Sequence, residues 1–127
     1  MPGRGSSIAF AVSQRELDAA TTVLAVEGEL DLASAPNLKW TLTDLISGGA
    51  RRIVLDLSAV TFIDSTALGV LVGIHRGLPA DGRMAIARPG AEVMNILELT
   101  GLDATFETFP ALDDALAFVR GDAAQAH

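Results

Sequence analysis

Residues 62–78 read FIDSTALGVLVGIHRGL and carry the clearest signal for a strand followed by a helix. Its first residues are apolar, as in a buried strand, and Asp64 then precedes two hydroxyl residues, Ser65 and Thr66. After them, apolar side chains recur at the spacing of an amphipathic helix. We therefore predict a strand that ends just before Asp64 and a helix over residues 65–78.

The predicted helix contains the glycines Gly69, Gly73 and Gly77. A glycine in a helix interior costs about 1 kcal/mol relative to alanine, so each needs a compensating role. At about 100° per residue, Gly69 points away from the core, which favours close approach by a partner. Gly73 and Gly77 turn toward the sheet, where we expect them to allow tight packing of the helix.

One face of this helix combines a hydroxyl group, bare backbone and aliphatic side chains. Ser65, Gly69, Val72 and Arg76 fall together on the outward face, with Leu68 at its margin. Single exposed aliphatic residues are common on folded proteins. Several of them beside a smooth glycine ridge favour a docking patch.

The hydroxyl group of Ser65 has two possible roles at this point. Serine and aspartate are favoured N-caps, so either Ser65 or Asp64 can satisfy the first free amides of the helix. Alternatively, Ser65 is a phosphorylation site. A phosphate there would bring about −1.5 to −2 charges into an apolar contact strip, which would break docking without unfolding the domain.

The rest of the chain alternates between strand and helix patterns. Residues 8–12 and 22–26 are rich in β-formers and flank a polar segment at 14–18, which predicts an antiparallel hairpin. Further patterns predict helices over 33–47, 91–99 and from 112 onward, and strands over 53–57 continuing through 60–63, over 84–87 and over 105–109. We predict an α/β fold with a mixed, mostly parallel sheet of about five strands and about four helices mainly on one face.

This arrangement predicts where acidic residues meet. If successive crossovers advance in one direction across the sheet, the carboxyl ends of the parallel strands share one edge. Asp31 follows the second strand and Asp64 follows the third, so we expect them to be neighbours beside Ser65.

Composition narrows the possible functions. A length of 127 residues fits one domain, which we place at 8–120 between loose tails at 1–7 and 121–127. With 16 acidic and 9 basic side chains, the formal charge of −7 disfavours binding to nucleic acid or anionic lipid.

The absence of cysteine and the presence of only two histidines argue against a metal centre, and we expect no cofactor. No signal peptide and no apolar run of about 18 residues is evident, so we expect a cytoplasmic protein without a membrane span.

Two enzyme classes fit the sequence poorly, and we predict that the protein is not an enzyme. A response-regulator receiver would use an aspartate near Asp56, but it also needs a late lysine, and the only lysine here is Lys39. A serine hydrolase needs a Gly-x-Ser-x-Gly elbow, which Ser65 lacks. His75 lies more than two helical turns from Ser65, too far to act as its base.

A family resemblance is carried mainly by the segment around Ser65, which reads Leu55-Asp56-Leu57-Ser58, Val60, Phe62-Ile63-Asp64-Ser65-Thr66 and Leu68-Gly69. Gly28-Glu29-Leu30-Asp31 comes before the first helix, and Thr100-Gly101-Leu102 with Phe106 follows later. Over about residues 8–120, the chain resembles the STAS domain, specifically the bacterial anti-sigma factor antagonists.

The resemblance implies a STAS-like fold and partner switching. In its unphosphorylated form, such a protein binds an anti-sigma factor that is also a serine kinase, and a sigma factor is released. Phosphorylation of the motif serine, here Ser65 with Thr66 as the alternative, ends the binding, and a serine phosphatase resets the switch. One departure is Ala67, where many relatives have glycine.

The expected partner-binding surface joins the acidic positions of the resemblance to the helix strip. Its predicted members are Asp31, Asp64, Ser65, Thr66, Leu68, Gly69, Val72 and Arg76. Trp40 falls off the apolar stripe of the first helix, so it either lies partly exposed near this surface or covers a neighbour.

Two other interpretations stay open. A non-switching STAS scaffold or accessory subunit, in a signalling assembly or a lipid-transport complex, would use Ser65 as a contact or a cap. A ligand sensor could use the same sheet edge, although no phosphate-binding glycine loop is present and the edge is acidic.

Overall fold

In the computed structural model, which describes residues 10–121, five strands and four α-helices alternate after an initial hairpin. The predicted tail at 1–7, the first two residues of the predicted strand at 8–12, and the tail beyond Gly121 lie outside the described residues. The elements are β1 Ala11–Asp18, β2 Thr21–Leu30, α1 Ala35–Ser47, β3 Arg52–Ile63, α2 Ser65–Arg76, β4 Arg83–Ala87, α3 Ala91–Thr100, β5 Glu107–Phe109 and α4 Leu112–Val119, with a short 3₁₀ turn at Leu102–Ala104.

The five strands form one sheet in the order β1-β2-β3-β4-β5. β1 and β2 are antiparallel, and every later pair is parallel. This confirms the predicted mixed sheet, and it shows that the crossovers advance in one direction. The carboxyl ends of β2, β3 and β4 therefore lie along one edge.

The predicted position of the hairpin turn is wrong. Residues 14–18 belong to β1, and the turn lies at Ala19 and Ala20. β1 is an edge strand with almost all of its side chains exposed, so it carries polar residues without loss of core packing. A strand exposed on both faces has the composition of a turn, which explains the error.

The helices divide unevenly between the two faces of the sheet. Apolar residues of α1, α2 and α3 share one core with β2 and β3, including the fully buried Leu38, Leu71 and Leu97. α4 covers a smaller core on the opposite face through Ala115 and Val119. Three helices on one face and one on the other confirm the expected arrangement, mainly on one face.

The carboxyl-terminal halves of β2 and β3 are irregular. Their register shifts twice, between Ala25 and Glu27 and again between Gly28 and Glu29. Gly28 has φ +98°, a conformation that side chains with a Cβ atom rarely adopt. These irregularities come just before the loop between β2 and α1, which begins with Asp31.

No helix within residues 10–121 combines the length and the apolar character needed to cross a lipid bilayer.

Candidate functional site

The candidate site is built where β2 and β3 end side by side. Leu30 pairs with Ile63 at the last position of the two strands, and the N–H of Asp64 donates to the carbonyl of Leu30 over 3.0 Å. Asp31 and Asp64 are therefore the first residues beyond neighbouring strands. The prediction that both reach one edge beside Ser65 agrees with this geometry.

Asp64 is the N-cap of α2, which settles the choice between Asp64 and Ser65. Its Oδ1 accepts from the N–H of Ala67 over 3.1 Å. Its Oδ2 accepts from the N–H of Leu32, in the loop between β2 and α1, also over 3.1 Å. One carboxylate thus satisfies a free helix amide and fastens a loop that is remote in sequence.

Asp31 organises the loop between β2 and α1 from within. Its Oδ1 accepts from the N–H of Ala33 over 3.0 Å and from the N–H of Ser34 over 3.1 Å. Ser34 is buried, and its hydroxyl donates to the carbonyl of Glu29 over 2.7 Å while it accepts from the N–H of Asp31 over 2.9 Å. The carboxylate of Asp31 thus serves mainly to shape this loop.

Sequence reasoning missed Ser34. The spacing Asp-x-x-Ser at the end of a strand, just before Pro36, was the available signal, because short polar side chains at that spacing stabilise turns that precede helices. Its role is structural, since its hydroxyl is committed to the backbone of the same loop.

Ser65 and Thr66 are the first two residues of α2, and both are exposed. Within residues 10–121, neither hydroxyl group makes a hydrogen bond to the protein. Because Asp64 performs the capping, the hydroxyl of Ser65 is left open to solvent at the positive end of the helix dipole.

The predicted contact strip on α2 needs one correction. Leu68 was expected at the exposed margin, but it is only 4% exposed and joins the core of the three-helix face. Val72 is half-buried, whereas Gly69 and Arg76 are exposed as expected. α2 lies against α1 as well as the sheet, so its buried stripe is wider than one packing partner would make it.

Of the predictions for the three glycines of the predicted helix, the outward position of Gly69 is confirmed and the packing of Gly73 and Gly77 on the sheet is wrong. A Cβ atom at Gly69 would meet nothing within 4 Å, as expected for an outward position. Gly73 was expected to pack on the sheet, but it too is exposed, with nothing within 4 Å. Gly77 is the C-cap, and a Cβ there would meet a backbone oxygen of its own helix at 3.2 Å, so packing on the sheet does not explain it either.

A groove runs between α1 and α2 and reaches Thr66 at the start of α2. Thr66, Gly69 and Gly73 line it from α2, and Lys39 lines it from α1. Lys39 also borders an adjoining hollow that includes Trp40, whose side chain is 68% exposed. Of the two roles considered for Trp40, exposure near the predicted surface is therefore the one observed.

Asp56, the residue considered as a receiver carboxylate, is engaged elsewhere. It is buried and forms an ion pair with Arg88 across the sheet face that α4 covers. Burial raises the pKa of Asp56, but hydrogen bonds from Arg88 and Ser58 outweigh that effect, so the pKa of this carboxyl lies below its usual value. Among residues 10–121, no set of three histidine, cysteine or acidic side chains is arranged to hold a metal ion.

Comparisons with known proteins point to one family. The model of the STAS domain matches residues 11–115. The anti-sigma-F factor antagonist RsfB of Mycobacterium tuberculosis is 33% identical over 99 residues, which cover 78% of this chain and 81% of that protein. An anti-sigma-B factor antagonist of Staphylococcus aureus is 36% identical over 78 residues, covering 61% and 72% of the two chains.

A solved structure agrees with both matches. The crystal structure of an anti-sigma factor antagonist from Mycobacterium paratuberculosis superimposes with a TM-score of 0.81 at 32% identity. The alignment covers 88% of this chain and 95% of that one.

Proposed function

The chain belongs to the STAS domain family, and on that premise we propose that it is an anti-sigma factor antagonist controlled by phosphorylation of Ser65. The unphosphorylated chain binds an anti-sigma factor that is also a serine kinase, and the sigma factor is thereby released. Phosphorylation of Ser65 by that kinase ends the binding, and a serine phosphatase restores it.

The main support for this proposal is that Asp64, and not Ser65, caps α2. Because Asp64 accepts from the helix amide, the hydroxyl of Ser65 is not needed as a cap, and it is exposed at the start of α2. A kinase must bring the γ-phosphate of ATP in line with an accessible hydroxyl oxygen. Ser65 offers such an oxygen, whereas the neighbouring Ser34 is buried and hydrogen-bonded.

The charge of the product supports a switch. While the kinase holds ATP, the γ-phosphate faces the oxygen of Ser65, so the nucleotide occupies the region directly opposite that residue. Phosphoserine adds about −1.5 to −2 charges at the same place. The product phosphate then faces the remaining phosphates of the nucleotide and lies beside the carboxylate of Asp64, and both repulsions weaken the complex.

Thr66 is the alternative acceptor, because it is exposed and lies one residue further into α2. It faces the groove that Lys39 also lines. Because both hydroxyl residues are exposed, direct mapping of the phosphate is needed to distinguish them.

The test is to incubate the purified chain with the cognate anti-sigma factor kinase and ATP, and to map the phosphate by mass spectrometry. We expect one phosphate on the wild-type chain, none on Ser65→Ala, and one on Thr66→Val. Modification confined to Thr66 would transfer the switch to that residue. Binding without any phosphorylation would support the interpretation as a non-switching scaffold or accessory subunit.

A further inference from the structure

Leu32 is an apolar side chain held out in solvent beside the candidate site. It lies in the loop between β2 and α1 and is 71% exposed. Its backbone N–H is bound by Asp64, the residue directly before Ser65. A single exposed leucine is ordinary on a protein surface. The construction of the loop that carries Leu32 is what distinguishes it.

The backbone on both sides of Leu32 is fixed by hydrogen bonds. Before it, the N–H of Asp31 is bound by the hydroxyl of Ser34. At Leu32 itself, the carboxylate of Asp64 accepts from the backbone. After it, the N–H of Ala33 is bound by the carboxylate of Asp31. Three consecutive amides are thus satisfied by side chains, and the loop presents its apolar residue in a fixed position.

Leu99 provides an internal comparison. It is 75% exposed, slightly more than Leu32, but it lies on the outer side of the regular helix α3. Exposure there needs no special backbone. A second apolar side chain, Phe62, is 43% exposed two residues before Asp64, at the end of the strand next to β2. Exposed apolar groups therefore lie within two residues of the ends of both strands that lead to Asp31 and Asp64.

We propose that Leu32 is an apolar anchor for the anti-sigma partner and inserts into an apolar socket that has basic side chains at its rim. This inference rests on the proposed function and specifies part of its contact surface. Preorganised apolar side chains bind well because little entropy is lost when they dock. The fixed loop around Leu32 supplies that preorganisation.

The basic rim follows from charge complementarity. The carboxylates of Asp31 and Asp64 flank Leu32, since each accepts a backbone N–H at Leu32 or at the next residue. A partner that covers this leucine must approach both carboxylates, and arginine or lysine side chains compensate for their lost hydration. A second copy of this chain would bring the same acidic edge and a formal charge of −7, so it fits poorly.

A basic rim at Leu32 is compatible with inhibition by phosphate at Ser65. The phosphate on Ser65 meets the bound nucleotide of the kinase. The rim contacts the carboxylates of the loop and the helix cap. The phosphate and the two carboxylates thus face different parts of the partner. The nucleotide repels the phosphate, whereas the basic rim attracts the carboxylates.

The test measures binding of the purified anti-sigma factor kinase to the full chain by isothermal titration calorimetry, with ADP in place of ATP. We expect Leu32→Ala to weaken binding by about tenfold or more, Leu32→Met to keep most of the affinity, and Leu99→Ala to change it by less than about twofold. Thermal melting of each variant should match the wild type, because both leucines are exposed.

Binding at increasing salt concentration checks the rim. We expect the affinity of the wild-type chain to fall as salt rises, as for complementary charges, and an affinity independent of salt would overturn the basic rim. Equal affinities for Leu32→Ala and the wild type would overturn the anchor while leaving the proposed function intact. No binding of the wild-type chain would count against both. A change in self-association alone, seen by sedimentation, would assign Leu32 to a contact between copies and overturn the proposal.

Discussion

The carboxylate of Asp64 binds the backbone N–H of Leu32 over 3.1 Å, although 32 positions separate the two residues in the chain. Because the other oxygen of Asp64 caps α2 at Ala67, the same side chain joins the helix that carries Ser65 to the loop that carries Leu32. The acceptor hydroxyl and the exposed leucine are thus held in one geometry. Any change at Asp64 should act on both.

Two substitutions of Asp64 should lower the free energy of unfolding to different extents. Asp64→Asn keeps one acceptor oxygen and loses one of the two hydrogen bonds, whereas Asp64→Ala loses both. An N-cap substitution by alanine costs about 0.5–2 kcal/mol, so we expect Asp64→Ala at the upper end of that range and Asp64→Asn below it. Urea denaturation measures the difference. Equal stability of both variants and the wild type would show that the bridge contributes nothing.

Charge at Ser65 should control binding without affecting the fold. We expect Ser65→Asp and Ser65→Glu to abolish measurable binding to the anti-sigma partner, because a carboxylate places negative charge opposite the nucleotide. Ser65→Ala should bind and resist inactivation by ATP. Melting temperatures should stay close to the wild type, since the side chain is exposed. Full binding by Ser65→Asp would contradict the proposed electrostatic switch.

Substitutions at Gly69 should affect fold stability and partner binding differently. Its Cβ position is open, so Gly69→Ala should stabilise the fold by about 0.5–1 kcal/mol through helix propensity. Gly69→Leu should likewise not lower the melting temperature, but it should weaken the complex, because the larger side chain fills the groove that Thr66 also lines. Gly73→Ala is the matched control for the stability measurement, since its Cβ position is equally open one turn further on. A large loss of stability in Gly69→Leu would return this glycine to a packing role.

The ion pair between Asp56 and Arg88 should make stability depend on pH. The pKa of Asp56 is lowered in the folded state, so its contribution is present above the unfolded pKa of about 4 and is lost as the pH falls through the folded value. We expect Asp56→Asn to lower the free energy of unfolding by about 1–3 kcal/mol at pH 7. On acidification to pH 3, the free energy of unfolding should fall less for this variant than for the wild type, because the variant has no carboxylate at this position to protonate. Asp44→Asn, at an exposed position, controls for general charge effects.

Local pattern and chain connectivity were enough for much of the fold. Helical spacing placed α2 within two residues of its observed end, and the alternation of elements predicted the parallel sheet. Short crossovers that advance in one direction put Asp31 and Asp64 at one edge, and this followed from connectivity alone. Errors arose where composition misleads, as in β1, because an exposed edge strand is as polar as a turn.

The chemical groups at the start of α2 could be predicted from the sequence alone, because Asp64, Ser65 and Thr66 lie where a strand pattern ends and a helix pattern begins. The role of each group depends on how the helices, strands and loops pack together. The contacts of α2 with α1 and the sheet bury Leu68 and leave Gly73 open, and the approach of the β2–α1 loop gives Asp64 the cap and the bridge to Leu32. Helical spacing describes one helix in isolation, whereas burial and hydrogen bonding depend on every element that packs against that helix.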